Sequence, residues 1–382
     1  MPPASSTHRR TAKAKKVTFE PKVEEHTRSG TRTAPLLTRF LTGIALISAI
    51  FLAVYYYYSY LLWEPPSTAK LEEDLLSPFQ VVDLPGKGKG VIATRDIAQG
   101  ELLLREKPLF LVPTHITSSP GALLLTSLAR LTPVQRKSFY DLSYVNFPRD
   151  VIPDTPEYNE ALALAIFQTN SIAAGSNVGI FPRMARFNHG CSSAFNSVYT
   201  WREKEGFLVA HALKAIKKGE ELLTTYTDTK RPRDSRRRYL HTHYGFTCQC
   251  AVCSLPDDLS RKSDSRLSRM SELYSQFARW GDSSISGQEA ANIAREIWSI
   301  GEEERYWSER GRLAADAAWV AAAHSDDVAA REWAALALEW YAYELGADSE
   351  QAHEMQNVIA DAEKHPVWGS RHEEHVGGPK KV

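Results

Sequence analysis

Three of the four cysteines in this 382-residue chain lie close together in the segment YGFTCQCAVCS, residues 244–254. They are Cys248, Cys250 and Cys253. Thiolates at this spacing are typical ligands of zinc, which in structural sites is held by four ligands in a closed tetrahedron. The candidates for the fourth ligand are Cys191, His241 and His243. A disulfide between the first two cysteines would strain a very small ring, so the spacing favours zinc over disulfides.

Three further segments carry residue types that can bind a ligand, although each one alone is common. GKGKGVIATRDI (residues 86–97) is a glycine loop that permits close backbone approach, yet it also suits a plain turn, and no helix follows it as in a dinucleotide site. GIFPRMARFNHGC (179–191) places an Asn-His pair before a cysteine, where a capped turn is the ordinary explanation. HALKAIKKGEELLTTYTD (211–228) has the pattern of an ordinary hairpin.

The elements that must position these segments are short strands and amphipathic helices. Strand-like runs are predicted within residues 78–112, 194–211 and 220–226, and helices within 120–168 and from about 264 onward. The stripe in the later helical part consists of Leu267, Met270, Leu273 and Phe277. Such a stripe indicates core packing rather than a cofactor site.

Composition and charge exclude some classes of function. The formal net charge is zero, which argues against a general nucleic-acid binder, so we expect no direct nucleic-acid binding. Four cysteines are too few for a disulfide-built scaffold of this length. Residues 1–39 hold nine Lys/Arg and three acids with few large apolar residues, and this composition predicts a disordered basic arm.

An uncharged segment, FLTGIALISAIFLAVYYYYSYLLW, occupies residues 40–63. A helix needs about 20 apolar residues to cross a bilayer, and the Tyr/Trp-rich end matches an interfacial belt. The segment therefore predicts a transmembrane helix and a single-pass membrane protein of the endomembrane system or nuclear envelope, with a linker at 64–77. The basic arm would place the rest of the chain in the lumen, whereas zinc thiolates suit the reducing cytosol, and the sequence leaves the two open.

Taken in order, the segments GKGKGVIATRDIAQGE, TNSI, RFNHGC, GEELLTTY and YGFTCQCAVC resemble a SET-domain protein-lysine methyltransferase, closest to the SET-and-MYND branch and its fungal relatives. The resemblance covers about residues 78–255. It implies an α+β fold: a SET domain of short β-sheets (78–245) with a helical insert (about 115–168) and a zinc-bound post-SET segment (246–255). A C-terminal α-helical region (264–364) and a disordered tail (365–382) are expected to follow.

The resemblance also implies roles for individual residues. The residues expected to bind the cofactor S-adenosylmethionine are Lys87, Gly88, Lys89, Asn170, Asn188, His189, Tyr226 and Phe246. Tyr226, beside the methyl group, and Tyr244, in the lysine channel, are expected to be catalytic. Cys191 becomes the implied fourth ligand of a structural zinc ion, with Cys248, Cys250 and Cys253.

Three features depart from that family's pattern. The chain has no further cysteines for a MYND finger, the segment CSSAFN places Asn196 two residues late, and known members lack a membrane segment. The expected activity is transfer of methyl groups from S-adenosylmethionine to a lysine of a histone or other protein, at a membrane contacted through residues 40–63. The alternatives are an inactive SET-fold binding or scaffold protein, and a structural zinc module of unrelated fold.

Overall fold

The computed structural model describes residues 77–115 and 119–379 of the chain. Short strands in this part form four small sheets. The strands are β1 (Phe79–Leu84), β2 (Gly88–Ala93), β3 (Leu102–Glu106), β4 (Leu111–Pro113), β5 (Ser171–Ala174), β6 (Asn177–Ile180), β7 (Asn188–His189), β8 (Ser197–Arg202), β9 (Phe207–Ala212) and β10 (Leu223–Thr224). The sheets β1-β2, β3-β9-β8 and β4-β6-β5 are antiparallel, whereas β7 and β10 pair in parallel.

The glycine-rich segment forms the turn of the β1-β2 hairpin. Leu84 pairs with Gly88 across the turn, and the backbone N–H of Lys87 donates to the carbonyl of Leu84 at 3.1 Å. Gly86 and Gly88 have φ angles of +72° and +75°, in the left-handed region that favours glycine. These two glycines are therefore required by the turn itself.

Nine α-helices are present in the described residues. They are α1 (Pro120–Ala129), α2 (Pro133–Tyr140), α3 (Pro156–Asn170), α4 (Arg233–Tyr244), α5 (Asp257–Ala278), α6 (Gly287–Glu304), α7 (Arg310–Ala323), α8 (Asp327–Glu344) and α9 (Glu350–Ala360). The first three begin with the same device, a Ser or Thr N-cap followed by proline: Ser119, Thr132 and Thr155 each accept a backbone N–H of the first turn. This combination stabilises the start of a helix because the hydroxyl accepts a backbone N–H that has no partner within the helix. Proline has no N–H that would need a partner.

Two large cores hold these elements. The strands enclose a core that includes Phe79, Val91 and Phe187, with the two phenyl rings edge to face at 5.2 Å. The C-terminal helices pack around Trp333, and the alanines of α7 let α8 approach closely. A Cβ on Gly311 would lie 2.9 Å from the backbone nitrogen of Tyr341, so this approach depends on the missing side chain.

The C-terminal segment differs from the expected disordered tail. Residues up to 379 are described, and Glu374 accepts the backbone N–H groups of Gly287 and Gln288 at the start of α6. Asp326 accepts the N–H of Val376 at 2.8 Å, and the Val376 side chain is buried. The segment is poor in apolar residues, but its backbone is satisfied by side chains distant in the sequence.

The prediction of a single-pass membrane protein is corrected by the helices of the structure. Within residues 77–115 and 119–379, none is both long and apolar enough to cross a bilayer. The 22-residue α5, for example, carries acidic and basic residues along its length. The predicted span at residues 40–63 lies outside the described residues, as does the basic arm at 1–39.

Candidate active site

A cavity of about 380 Å³ opens between the β1-β2 hairpin, the end of α3 and the segment that joins β10 to the end of α4. Seven of the nine residues predicted to bind cofactor or act in catalysis line it: Lys87, Lys89, Asn170, Asn188, Tyr226, Tyr244 and Phe246. The other two, Gly88 and His189, do not. Residues that are spread from position 87 to position 246 therefore meet at one concave surface.

The parallel pairing of β7 with β10 brings the Asn-His motif beside the segment that ends in Tyr226. Asn188 pairs with Leu223 and His189 with Thr224, and the N–H of Gly190 donates to the carbonyl of Thr224 at 2.8 Å. Because the strands are two residues long, this contact depends on the surrounding fold rather than on strand propensity.

Glu221, which was not among the predicted residues, connects two that were. Its carboxylate accepts the Asn188 amide Nδ2–H at 2.9 Å and pairs with the Lys87 ammonium at 2.5 Å. The Glu221 side chain is only 15% exposed, whereas Lys87 is 55% exposed. Gly90 permits this arrangement, because a Cβ there would lie 2.6 Å from Asn188 Nδ2. The motif GEELLTTY contains Glu221, but nothing in its local pattern indicates these partners.

His189 contacts both the cavity wall, at Tyr226, and the cysteine cluster, at Cys191. Its Nδ1 accepts the backbone N–H of Tyr226 at 3.0 Å, so in the neutral ring the proton is on Nε2. Nε2 lies 3.0 Å from the sulfur of Cys191 and donates to it. Burial lowers the pKa of His189 to about 4, which keeps the ring neutral near pH 7. His189 is therefore a positioning residue for Tyr226.

The aromatic wall consists of Tyr226, Tyr244 and Phe246. The Tyr226 hydroxyl donates to the carbonyl of Phe187 at 2.6 Å, and its ring centroid lies 4.8 Å from that of Tyr244. Burial raises the pKa of both phenols, so both remain protonated at neutral pH. The Tyr226 oxygen keeps lone pairs that can accept further hydrogen bonds.

Asn170 closes the cavity at the end of α3. Its Nδ2 donates to the carbonyls of Ser143 and Ile166, both at 2.7 Å. The two bonds fix the amide plane, and Oδ1 is then the atom of this side chain that can accept a donor from a ligand.

Asn196, whose late position departs from the family pattern, has a structural contact. It is buried, donates to the carbonyl of Glu221 at 2.9 Å and accepts the N–H of Leu223 at 2.8 Å. It thereby holds the backbone that presents the Glu221 carboxylate.

The four cysteine sulfurs form one cluster below this wall. Cys191, Cys248, Cys250 and Cys253 have Sγ atoms that all lie within 4.8 Å of one another. Cys191 Sγ is 4.0 Å from Cys248 Sγ and 3.7 Å from Cys253 Sγ. Tetrahedral zinc with Zn–S bonds of about 2.3 Å requires sulfurs about 3.8 Å apart, so the donor set fits a structural zinc ion. His241 and His243, the other candidates, are not part of the cluster.

Hydrogen bonds within the cluster and from a neighbouring arginine hold it in place. The neighbouring sulfurs, Cys248 first, raise the pKa of Cys191, while that of Cys250 is lowered, because a protonated thiol donates to a neighbouring thiolate. Arg237 donates to the carbonyls of Cys253 at 2.8 Å and Cys248 at 3.2 Å, which holds the loop against α4.

Comparison with known proteins agrees with this geometry. Residues 88–227 match the SET domain family. Histone-lysine N-methyltransferase set5 of Schizosaccharomyces pombe is 28% identical over 297 residues, covering 76% of this chain and 86% of that protein. Histone-lysine N-methyltransferase SMYD3 of Mus musculus is 27% identical over 146 residues, 35% of this chain and 33% of that protein.

Among solved structures, Rubisco LSMT bound to AdoMet is similar at 11% identity over 79% of this chain and 89% of that one, with a TM-score of 0.36. The family match and the two relatives carry the assignment. Residues 88–227 are therefore a SET domain, and the chain is a relative of the SET-domain lysine methyltransferases.

Proposed function

We propose that this chain is an S-adenosylmethionine-dependent protein-lysine N-methyltransferase. The observation that carries the proposal is the convergence of Asn170, Asn188, Tyr226, Tyr244 and Phe246 on one cavity of a SET domain. The two relatives described above are named as histone-lysine methyltransferases, so histones are the first substrates to test.

The residues of the cavity suit the cofactor. Its volume of about 380 Å³ lies in the range of small-molecule sites, roughly 300–1,000 Å³. We assign cofactor binding to three parts of the cavity: the loop Lys87, Gly88 and Lys89, the amides of Asn170 and Asn188, and the rings of Tyr226 and Phe246. His189 would position Tyr226. S-adenosylmethionine supplies a methyl group on a sulfonium, which an amine accepts by in-line displacement.

The chain's own contribution is to present a neutral, oriented amine. Free lysine has a pKa of about 10.4, and an apolar, aromatic channel lowers it by disfavouring the charged form. The neighbouring rings of Tyr226 and Tyr244, tilted by 38° to each other, would form one side of that channel. Because the Tyr226 hydroxyl donates a hydrogen bond to the carbonyl of Phe187, its oxygen would act toward the reacting groups as an acceptor and would align them.

We further propose that Cys191, Cys248, Cys250 and Cys253 hold one structural zinc ion. The supporting observations are the sulfur spacing and the hydrogen bond from His189 to Cys191. Metal-bound thiolates with satisfied outer partners would keep the Tyr244–Phe246 segment against the cavity.

The experiment uses the full chain. Its zinc content is measured, S-adenosylmethionine is titrated by calorimetry, and transfer of tritiated methyl groups to core histones is followed, with the modified lysine located by mass spectrometry. Micromolar binding with transfer supports the proposal. Asn188→Ala should lose binding, and Asn177→Ala, the same change in β6 outside the cavity, should not. Binding without transfer to any lysine in histones or other proteins would favour an inactive scaffold.

A further inference from the structure

A fully buried arginine lies beside the cysteine cluster. Arg236, on α4, is 0% exposed. Its Nη1 donates to the backbone carbonyl of Arg231 and to Asp264 at 3.1 Å. Within the residues that the structure describes, its Nε and Nη2 have no hydrogen-bond partner. Two of the three guanidinium nitrogens therefore have no hydrogen-bond partner in the described part of the chain.

The side of the helix that carries Arg236 faces the cluster. Leu240 follows one turn later on the same face and packs with Cys191, Cys248 and Cys253. The unpartnered Nε and Nη2 thus belong to a guanidinium on the helix face that packs with the cysteines.

The charge of a zinc site explains why a buried cation belongs there. Four thiolates around Zn²⁺ leave a dianion, and an uncompensated charge is costly in the interior. A buried guanidinium whose only carboxylate partner leaves Nε and Nη2 unpaired is costly for the same reason. The cluster and the guanidinium would therefore each reduce the penalty of the other.

We propose that Arg236 is the internal counter-ion of the zinc–cysteine cluster and sets how tightly the metal is held. This inference rests on the zinc site of the proposed function. It assigns Arg236 a positioning role that differs from that of its neighbour Arg237, which binds backbone carbonyls of the cysteine loop.

The test measures zinc release from the full chain into excess chelating dye. Arg236→Met should release zinc at least about tenfold faster than the wild type, as expected for loss of an outer partner of a metal ligand. Arg236→Lys, which keeps the charge, should lie between the two. Arg238→Met is the matched control, since Arg238 is exposed on the same helix and should leave the rate unchanged. Cobalt substitution reports whether four sulfurs still bind in a tetrahedron.

Asp264→Asn separates this role from a purely structural ion pair. The proposal expects this variant to hold zinc at least as tightly as the wild type, because the guanidinium charge remains beside the sulfurs. If the Arg236–Asp264 pair merely stabilises the fold, Asp264→Asn should release zinc as fast as Arg236→Met.

Equal release from wild type and Arg236→Met overturns the inference. If Arg236→Met does not fold, Asp264→Asn decides: retention supports the inference and tenfold faster release overturns it. A wild-type chain without zinc would instead refute the zinc site itself, and the methyltransferase assay would be unaffected by that result.

Discussion

Replacement of Glu221 tests whether cofactor binding depends on a residue that orients the side chain of Asn188. Its carboxylate is the acceptor that orients the Asn188 amide, and it also pairs with Lys87. Glu221→Ala removes both contacts, while Glu221→Gln keeps an oxygen for the amide and loses the charge. The backbone of Glu221 should stay in place, because Asn196 binds its carbonyl.

The structure sets the size of each effect. A hydrogen bond to a charged, largely buried group contributes about 1.5–3 kcal/mol. The ion pair with the half-exposed Lys87 contributes about 0–1 kcal/mol because solvent screens it. Glu221→Ala should therefore weaken S-adenosylmethionine binding about 10- to 150-fold, and Glu221→Gln and Lys87→Ala no more than about fivefold.

Calorimetric titration of the full-length variants measures these dissociation constants, with thermal unfolding as a check that each variant is folded. We expect Glu221→Ala to bind S-adenosylmethionine most weakly and the wild type to bind it most tightly, with Glu221→Gln between them. The reasoning is refuted if glutamine and alanine at 221 weaken binding equally, since charge rather than the orientation of Asn188 would then govern the site. Unchanged binding in Glu221→Ala would remove Glu221 from the site altogether.

Tyr226→Phe leaves the Phe187 carbonyl without its donor, so we expect slower single-turnover transfer and about 1–3 kcal/mol less stability to urea, with cofactor affinity retained. Wild-type turnover would contradict this role. Gly90→Ala places a Cβ 2.6 Å from Asn188 Nδ2 and should weaken cofactor binding in the same titration; unchanged affinity would show that the hairpin adjusts. Burial raises the pKa of Glu344 from 4.5 to about 7, so its contribution to stability is full below pH ~4.5 and is lost as pH rises through 7. Glu344→Gln should gain about 3 kcal/mol over wild type at pH 8 in urea unfolding, and parallel pH profiles would contradict this.

Local signals in the sequence determined the turn, the helix starts and the order of the motifs. The glycine spacing predicts the β1-β2 turn because only glycine accepts the required φ angles without strain. The Ser/Thr-Pro pairs begin helices because capping is a matter of a few neighbouring residues. The close spacing of Cys248, Cys250 and Cys253 likewise indicates metal chemistry by itself, and in order the motifs identify the SET domain.

Only the tertiary structure decided which distant groups meet. Asn188 reaches Glu221 because β7 and β10 pair in parallel over two residues, a contact that local propensity does not encode. Cys191 likewise meets three cysteines that lie far along the chain. The docking of the segment that includes Val376 and the ion pair between Arg236 and Asp264 likewise join residues that are distant in the sequence. A buried polar group must be satisfied by whatever the whole fold brings near it, so its partner is a property of the packed chain and not of the adjacent residues.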